Sequence, residues 1–220
     1  LMERFETAAA AVPEEMAEAH RAYCRRSFHP LMMCSPFMHR IFTKPLGYAG
    51  DYEMIDMIIR NQPEGKSLFA KLLHKFILDT PPAHSVRNRA VYFTRRFMEE
   101  GARVLQAGRQ PKFFSLGCGP AREVQDFLQT QAISDQTQFT LLDFNGETLA
   151  HTGKRLEDIR RAKGRGLPVK TIQKSVYFLL KETVKHVSDS EKHDIIYCSG
   201  LYDYLNDRVC KQLNTYLYNF

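Results

Sequence analysis

Apolar residues along this chain follow two regimes. Through the first hundred positions they recur at helical spacing: Phe5, Ala8, Ala9, Val12, Met16, Ala19 and Tyr23 line one side of a first amphipathic helix. A turn-rich segment over residues 29–45 follows, then helical patterns over 52–60, 66–79 and 86–105, broken by Gln62-Pro63-Glu64-Gly65 and Thr80-Pro81-Pro82. Beyond residue 108 the apolar runs shorten. Phe113-Phe114, Gln138-Phe139-Thr140-Leu141-Leu142-Asp143, Leu167-Pro168-Val169-Lys170-Thr171-Ile172 and His193-Asp194-Ile195-Ile196-Tyr197-Cys198 read as four strands, and residues 206–218 as a last helix. Strands alternating with helical stretches predict an α/β fold with a parallel sheet. The expected organisation is a helical cap over residues 1–108 and an α/β domain over 109–220.

Candidate chemistry concentrates after the first strand, in Ser115-Leu116-Gly117-Cys118-Gly119-Pro120-Ala121-Arg122-Glu123-Val124. A strand–glycine turn–helix unit holds nucleotide-like ligands, because a Cβ would keep the ligand off the backbone and the helix start offers unpaired N–H donors. The dinucleotide fingerprint requires a third small residue where this chain has Arg122, so that pattern fails. Small residues instead stand at Gly117, Gly119 and Ala121. This resembles motif I of the class I S-adenosylmethionine-dependent methyltransferases, with Ser115 at the usual acidic position and Ala121 in place of the last glycine. The resemblance implies a Rossmann-like sheet with a helical N-terminal lid, and it extends downstream. Asp143 ends the second strand, where a carboxylate accepts both ribose hydroxyl protons. It also reads as a turn residue, since Asn145 and Gly146 follow. By the same resemblance Ser115, Gly117, Cys118, Gly119, Phe144, Ser175, Val176, Ser199 and Gly200 border the cofactor, and Tyr202 and Asp203 occupy the motif IV position.

A second unusual stretch is Lys44-Pro45-Leu46-Gly47-Tyr48-Ala49-Gly50-Asp51-Tyr52-Glu53-Met54. Asp51 suits a helix N-cap, which leaves Tyr48, Gly50 and Tyr52 without a structural reason. With this run and the glycine loop together, the chain is similar to a bacterial methyltransferase group, the 3-hydroxypalmitic acid methyl ester synthases. That similarity implies esterification of a fatty acid carboxylate into a quorum signal, with Tyr48, Asp51 and Tyr52 closing over the methionine end of the cofactor. A carboxylate acceptor needs no general base, only desolvation and a cation to orient it; Arg87 and Arg89 are the candidate clamp. A hydroxyl or amine acceptor would need a base, for which Tyr202 or Asp203 is placed.

Composition narrows the setting. A net charge of +6 is spread over Arg25-Arg26, Arg95-Arg96 and residues 160–165, without a single basic stripe interleaved with aromatics, so a nucleic-acid partner is not expected. Five cysteines, odd in number and without a C-x-x-C, point to reduced thiols in the cytoplasm. No stretch reaches the roughly 20 apolar residues needed to span a bilayer. His20, Cys24, His29, Cys34 and His39 lack the paired spacing of a zinc site, so no metal is expected. A class I sheet continues past its fourth strand, whereas here one helix runs to Phe220. The expectation is a fragment of a longer protein, or a sheet edge completed by another copy of the chain. The altered motif I leaves a second class open, a catalytically silent cofactor-binding sensor or scaffold.

Overall fold

The computed structural model describes residues 2–164, 166, 168–181 and 192–218; Arg165 of the basic run and Leu167 of the third expected strand lie outside the described residues. In chain order the elements are α1 (Met2–Ala10), α2 (Glu14–Met32), α3 (Pro36–Thr43), α4 (Tyr52–Arg60), α5 (Leu68–Leu78), α6 (Pro81–Gln106), β1 (Lys112–Leu116), α7 (Arg122–Thr130), β2 (Gln138–Asp143), α8 (Gly146–Lys163), β3 (Val169–Gln173), α9 (Val176–Leu179), β4 (Ile195–Cys198) and α10 (Asp207–Tyr218). The chain divides into two compact units, one of residues 1–50 and 60–83, the other of residues 51–59 and 84–220. Residues 51–59 and 84–108, read from sequence as part of the cap, therefore belong with the sheet.

The first unit is helical. The single first helix expected from the apolar spacing is two helices. Pro13 stands at the N-cap of α2 and has no N–H to continue α1, and Phe5, Met16 and Tyr23 are exposed rather than buried. The segment expected to be turn-rich is mostly helix, since Pro30 lies inside the end of α2 and Pro36 takes the first turn of α3, where its fixed φ suits helix initiation. Ser35 caps α3 by accepting the Met38 N–H at 3.4 Å, and Ser67 caps α5 by accepting the Ala70 N–H at 3.1 Å. Phe37, Ala70, His74 and Leu78 form the buried centre of this unit. The His74 ring accepts the Phe37 N–H through Nδ1 at 3.3 Å, and burial lowers its pKa.

The second unit is α/β. Its four strands are all parallel, in the order β3-β2-β1-β4. Pairing sets Phe113 beside Phe139 and Ile195, and Ser115 beside Leu141 and Tyr197. Because successive side chains point to opposite faces, Phe113, Phe139, Leu141 and Tyr197 enter one core with Phe97 of α6, Val124, Phe127 and Leu128 of α7, and Leu149 and Leu156 of α8. Phe114, Leu116 and Leu142 enter the other, with Val176, Leu179 and Leu213. Ala90, Phe97 and Val104 are buried at seven-residue intervals along α6, two turns apart, which turns one side of that helix to the sheet. Among the described residues no helix is long and apolar enough to cross a membrane, and no group of three His, Cys, Asp or Glu is placed to hold a metal ion. All five cysteines are free thiols.

Candidate functional site

Candidate site residues of the second unit gather at the carboxyl ends of its strands, where open parallel sheets bind their ligands. The loop after β1 turns through three left-handed residues, Gly117 at φ +65°, Gly119 at +52° and Ala121 at +48°. A Cβ on Gly117 would touch the Leu201 side chain at 3.5 Å, whereas one on Gly119 would project into open space. Gly119 is thus the bare stretch of backbone. Its peptide groups are fixed from both sides: the N–H donates to Asp143 Oδ2 at 3.1 Å, and the carbonyl accepts from Thr152 Oγ1 at 2.8 Å. Gln125 Nε2 donates to the Pro120 carbonyl at 2.6 Å, and the Cys118 N–H to Leu142 at 2.9 Å. No side chain caps α7, whose N-terminal N–H groups open beside this loop.

Asp143 is 4% exposed. Burial raises its pKa, against the opposing pull of the Asn145, Gly119 and Phe144 N–H groups. Oδ1 accepts from the Asn145 N–H at 3.0 Å and Oδ2 from the Gly119 N–H at 3.1 Å, and a carboxylate offers about four lone-pair sites in all. Next to it, the Phe144 ring is half exposed. Beyond β3, Ser175 caps α9 through the Phe178 N–H at 3.3 Å, and the Val176 side chain is in the core. Cys118 is buried, and that burial, with Asp143 and Glu123 adding to it, pushes its thiol pKa well up, so it is no nucleophile.

Three residues stand elsewhere than their sequence positions suggested. Ser115 is buried on β1, and its hydroxyl bonds with that of Tyr197, because the pleat turns position 115 to the same face as Phe113, toward α6 and α7. Arg87 donates through Nη1 to the Ile58 carbonyl at 3.1 Å and braces the last turn of α4. Arg89 is the arginine at the strand ends: its Nη1 lies 3.7 Å from where a Cβ of Gly200 (φ +91°) would stand, and Asp203 Oδ2 lies 4.0 Å from the same point. Tyr202 donates its hydroxyl to Asn214 of α10, and burial raises its pKa. Asp203 is exposed, and Ser199 and Gly200 complete the turn after β4.

Beneath the glycine loop, Tyr197 donates to Glu123 Oε1 at 2.7 Å. Burial holds the Glu123 carboxyl above its usual range, opposed by the Tyr197 bond and by Arg89. With the folded pKa above the unfolded one, Glu123 supports the fold fully below the ordinary carboxylate range and loses that support as pH rises through the raised value. Glu123→Gln keeps an oxygen for Tyr197 and removes the titration. Its thermal midpoint is expected to exceed wild type at about pH 8, with the gain vanishing near pH 4. A gain that is flat across this range would show that Glu123 does not titrate differently in the fold.

On the outer side of the site, Asp51 caps α4 by accepting the Met54 N–H at 2.9 Å, in the role expected of it. Tyr52 stacks on His151 at 4.3 Å and donates to Glu147 Oε1 at 2.8 Å, while His151 Nε2 meets Asp56 Oδ2 at 3.0 Å. These contacts fasten α4 along the start of α8, directly after Phe144. Tyr48 belongs to the first unit. Asp56, Glu123, Glu147, His151 and Tyr197 were not picked out as site residues from sequence. The one available signal was a matched pair of i, i+4 spacings, Tyr52 with Asp56 and Glu147 with His151, which puts two complementary groups on each helix face.

No protein-family model, curated protein or solved structure matches this chain.

Proposed function

We propose that the second unit is a Rossmann-like, class I methyltransferase domain that binds S-adenosylmethionine and methylates a small apolar acid of the fatty-acid type. The observation that carries this reading is the alignment, on adjacent strand ends, of a bare Gly119 backbone, a buried Asp143 carboxylate and a half-exposed Phe144 ring. Those three suit a nucleoside with a charged tail: ribose hydroxyls to the Asp143 carboxylate, the base on Phe144, and the methionine carboxylate at the uncapped start of α7. The sulfonium methyl supplies an activated electrophile when the cofactor is bound. What remains for the protein is to orient the acceptor and exclude water. Arg89, rather than Arg87, is the cation at the strand ends that can hold an acceptor carboxylate bidentately. Asp203, exposed beside Gly200, is the group that can take a proton from a hydroxyl acceptor. Free thiols at all five cysteines suit a reducing, cytoplasmic setting.

A second reading, cofactor binding without transfer, draws on the commitment of Tyr202 to Asn214 and of Ser115 to the buried network. Titration calorimetry with S-adenosylhomocysteine tests the shared step. Micromolar binding is expected, weakened about tenfold by Phe144→Ala, the worth of one base–aromatic stack. A folded chain that takes up no S-adenosylhomocysteine removes both readings. Methyl ester formation from a panel of fatty acids then separates them.

A further inference from the structure

Helix α5 is apolar on two opposite sides. Ala70, His74 and Leu78 are buried in the first unit, as one side of a surface helix should be. Half a turn away, where charged residues belong, stand Leu68 at 74% exposure, Phe69 at 50%, Leu72 at 62% and Phe76 at 56%. At 100° per residue, positions 68, 72, 76 and 69 sweep a continuous arc facing away from the buried one. One edge of that arc carries Lys71 and Lys75, of which Lys75 pairs at 2.7 Å with Asp79 at the helix C-cap, and Lys66 precedes the helix.

Helix α2 of the same unit repeats this composition. Its acids end at Glu18; beyond it come Arg21, Arg25 and Arg26 together with Tyr23, Phe28 and Leu31, all three of the latter at least half exposed. No residue of this 19-residue helix is buried.

We propose that α5 is a membrane-surface helix, which seats Leu68, Phe69, Leu72 and Phe76 in the headgroup region of an anionic bilayer while Lys66 and Lys71 meet lipid phosphates. The charge pattern selects this occupant. Lys75 already has Asp79 as its partner; pairing α5 with a second copy of itself would still bring Lys66 and Lys71 toward their counterparts with no acid within either helix to answer them, whereas an anionic surface answers both. At 11 residues, about 16 Å, the helix is too short to span and long enough to lie in the interface plane. Large apolar and aromatic side chains with flanking lysines are the composition of such interfacial helices. The proposal is independent of the cofactor reading, since every residue in it belongs to the first unit.

Flotation of the full chain with extruded vesicles tests it. Binding to vesicles containing phosphatidylglycerol is expected, at least about tenfold weaker on phosphatidylcholine alone, and reduced about fivefold by Lys71→Gln. The double variant L72S/F76S alters only exposed positions; it is expected to keep the wild-type circular dichroism spectrum and to lose the vesicles. Failure of the folded wild-type chain to bind anionic vesicles overturns the proposal, and so does undiminished binding by L72S/F76S. A wild-type dimer in light scattering that L72S/F76S converts to monomer, with no vesicle binding by either, assigns the arc to a second copy instead.

Discussion

Truncating Phe97 to alanine is expected to cost about 3–5 kcal/mol of stability, the range for deleting a fully buried aromatic ring. Phe97 has no exposed surface, and its ring packs against five others: Phe93 at 6.1 Å, Phe113 at 5.3 Å, Phe127 at 5.8 Å, Phe139 at 5.2 Å and Tyr197 at 5.3 Å. These partners come from α6, α7, β1, β2 and β4, so the cavity left behind is walled by strands and helices that cannot collapse independently. Against a total of roughly 5–15 kcal/mol, the loss puts the variant near its unfolding threshold. Urea denaturation should show the midpoint falling with an unchanged slope, and Met98→Ala, one position along and exposed, should shift it by less than about 0.5 kcal/mol. A Phe97→Ala loss below about 2 kcal/mol would mean that the aromatic cluster rearranges to fill the space.

Asp143→Ala is expected to weaken S-adenosylhomocysteine binding about 100-fold, since a charged hydrogen-bond acceptor is worth about 1.5–3 kcal/mol and this carboxylate serves two purposes. In the proposed complex it accepts the ribose hydroxyls, and in the protein alone it holds the Gly119 N–H and the Asn145 turn. Asp143→Asn separates the roles. One amide oxygen can still accept from Gly119, so the loop should persist while affinity falls by an intermediate amount. Calorimetry on both variants, with circular dichroism to confirm folding, decides the matter. Binding by Asp143→Ala within about threefold of wild type would place the ribose elsewhere.

Strands were the most legible elements. β2 ends at Asp143 as read, because a parallel strand covered on both faces is a near-continuous apolar run bounded by polar residues. The glycine turn was equally plain, since alternating left-handed residues demand small side chains. The first unit was less legible: residues 29–45 read as turn-rich, yet Pro30 is accommodated in the last turn of α2 and Pro36 starts α3. In the site, the difficulty was direction rather than position. Arg87 and Arg89 lie two residues apart on α6, about 200° around the helix, so only one can face the strand ends, and the local sequence does not say which. Ser115 was assigned by motif alignment, while the pleat of β1 decides which face it takes. Contacts of α4 with α8 depend on residues far apart in the chain, which no local pattern reports.

That separation has a consequence during synthesis. Tyr52 and Asp56 find Glu147 and His151 at a sequence distance of 95 residues. A ribosome adding about 5–20 residues per second emits the partner helix roughly 5–20 s after α4. Through that interval the nascent α4 carries Met57 and Ile58, buried in the finished fold, with nothing of the sheet yet made to cover them. Chaperone demand is therefore expected to fall in the interval between synthesis of α4 and of α8, on a nine-residue helix whose docking surface has not been born.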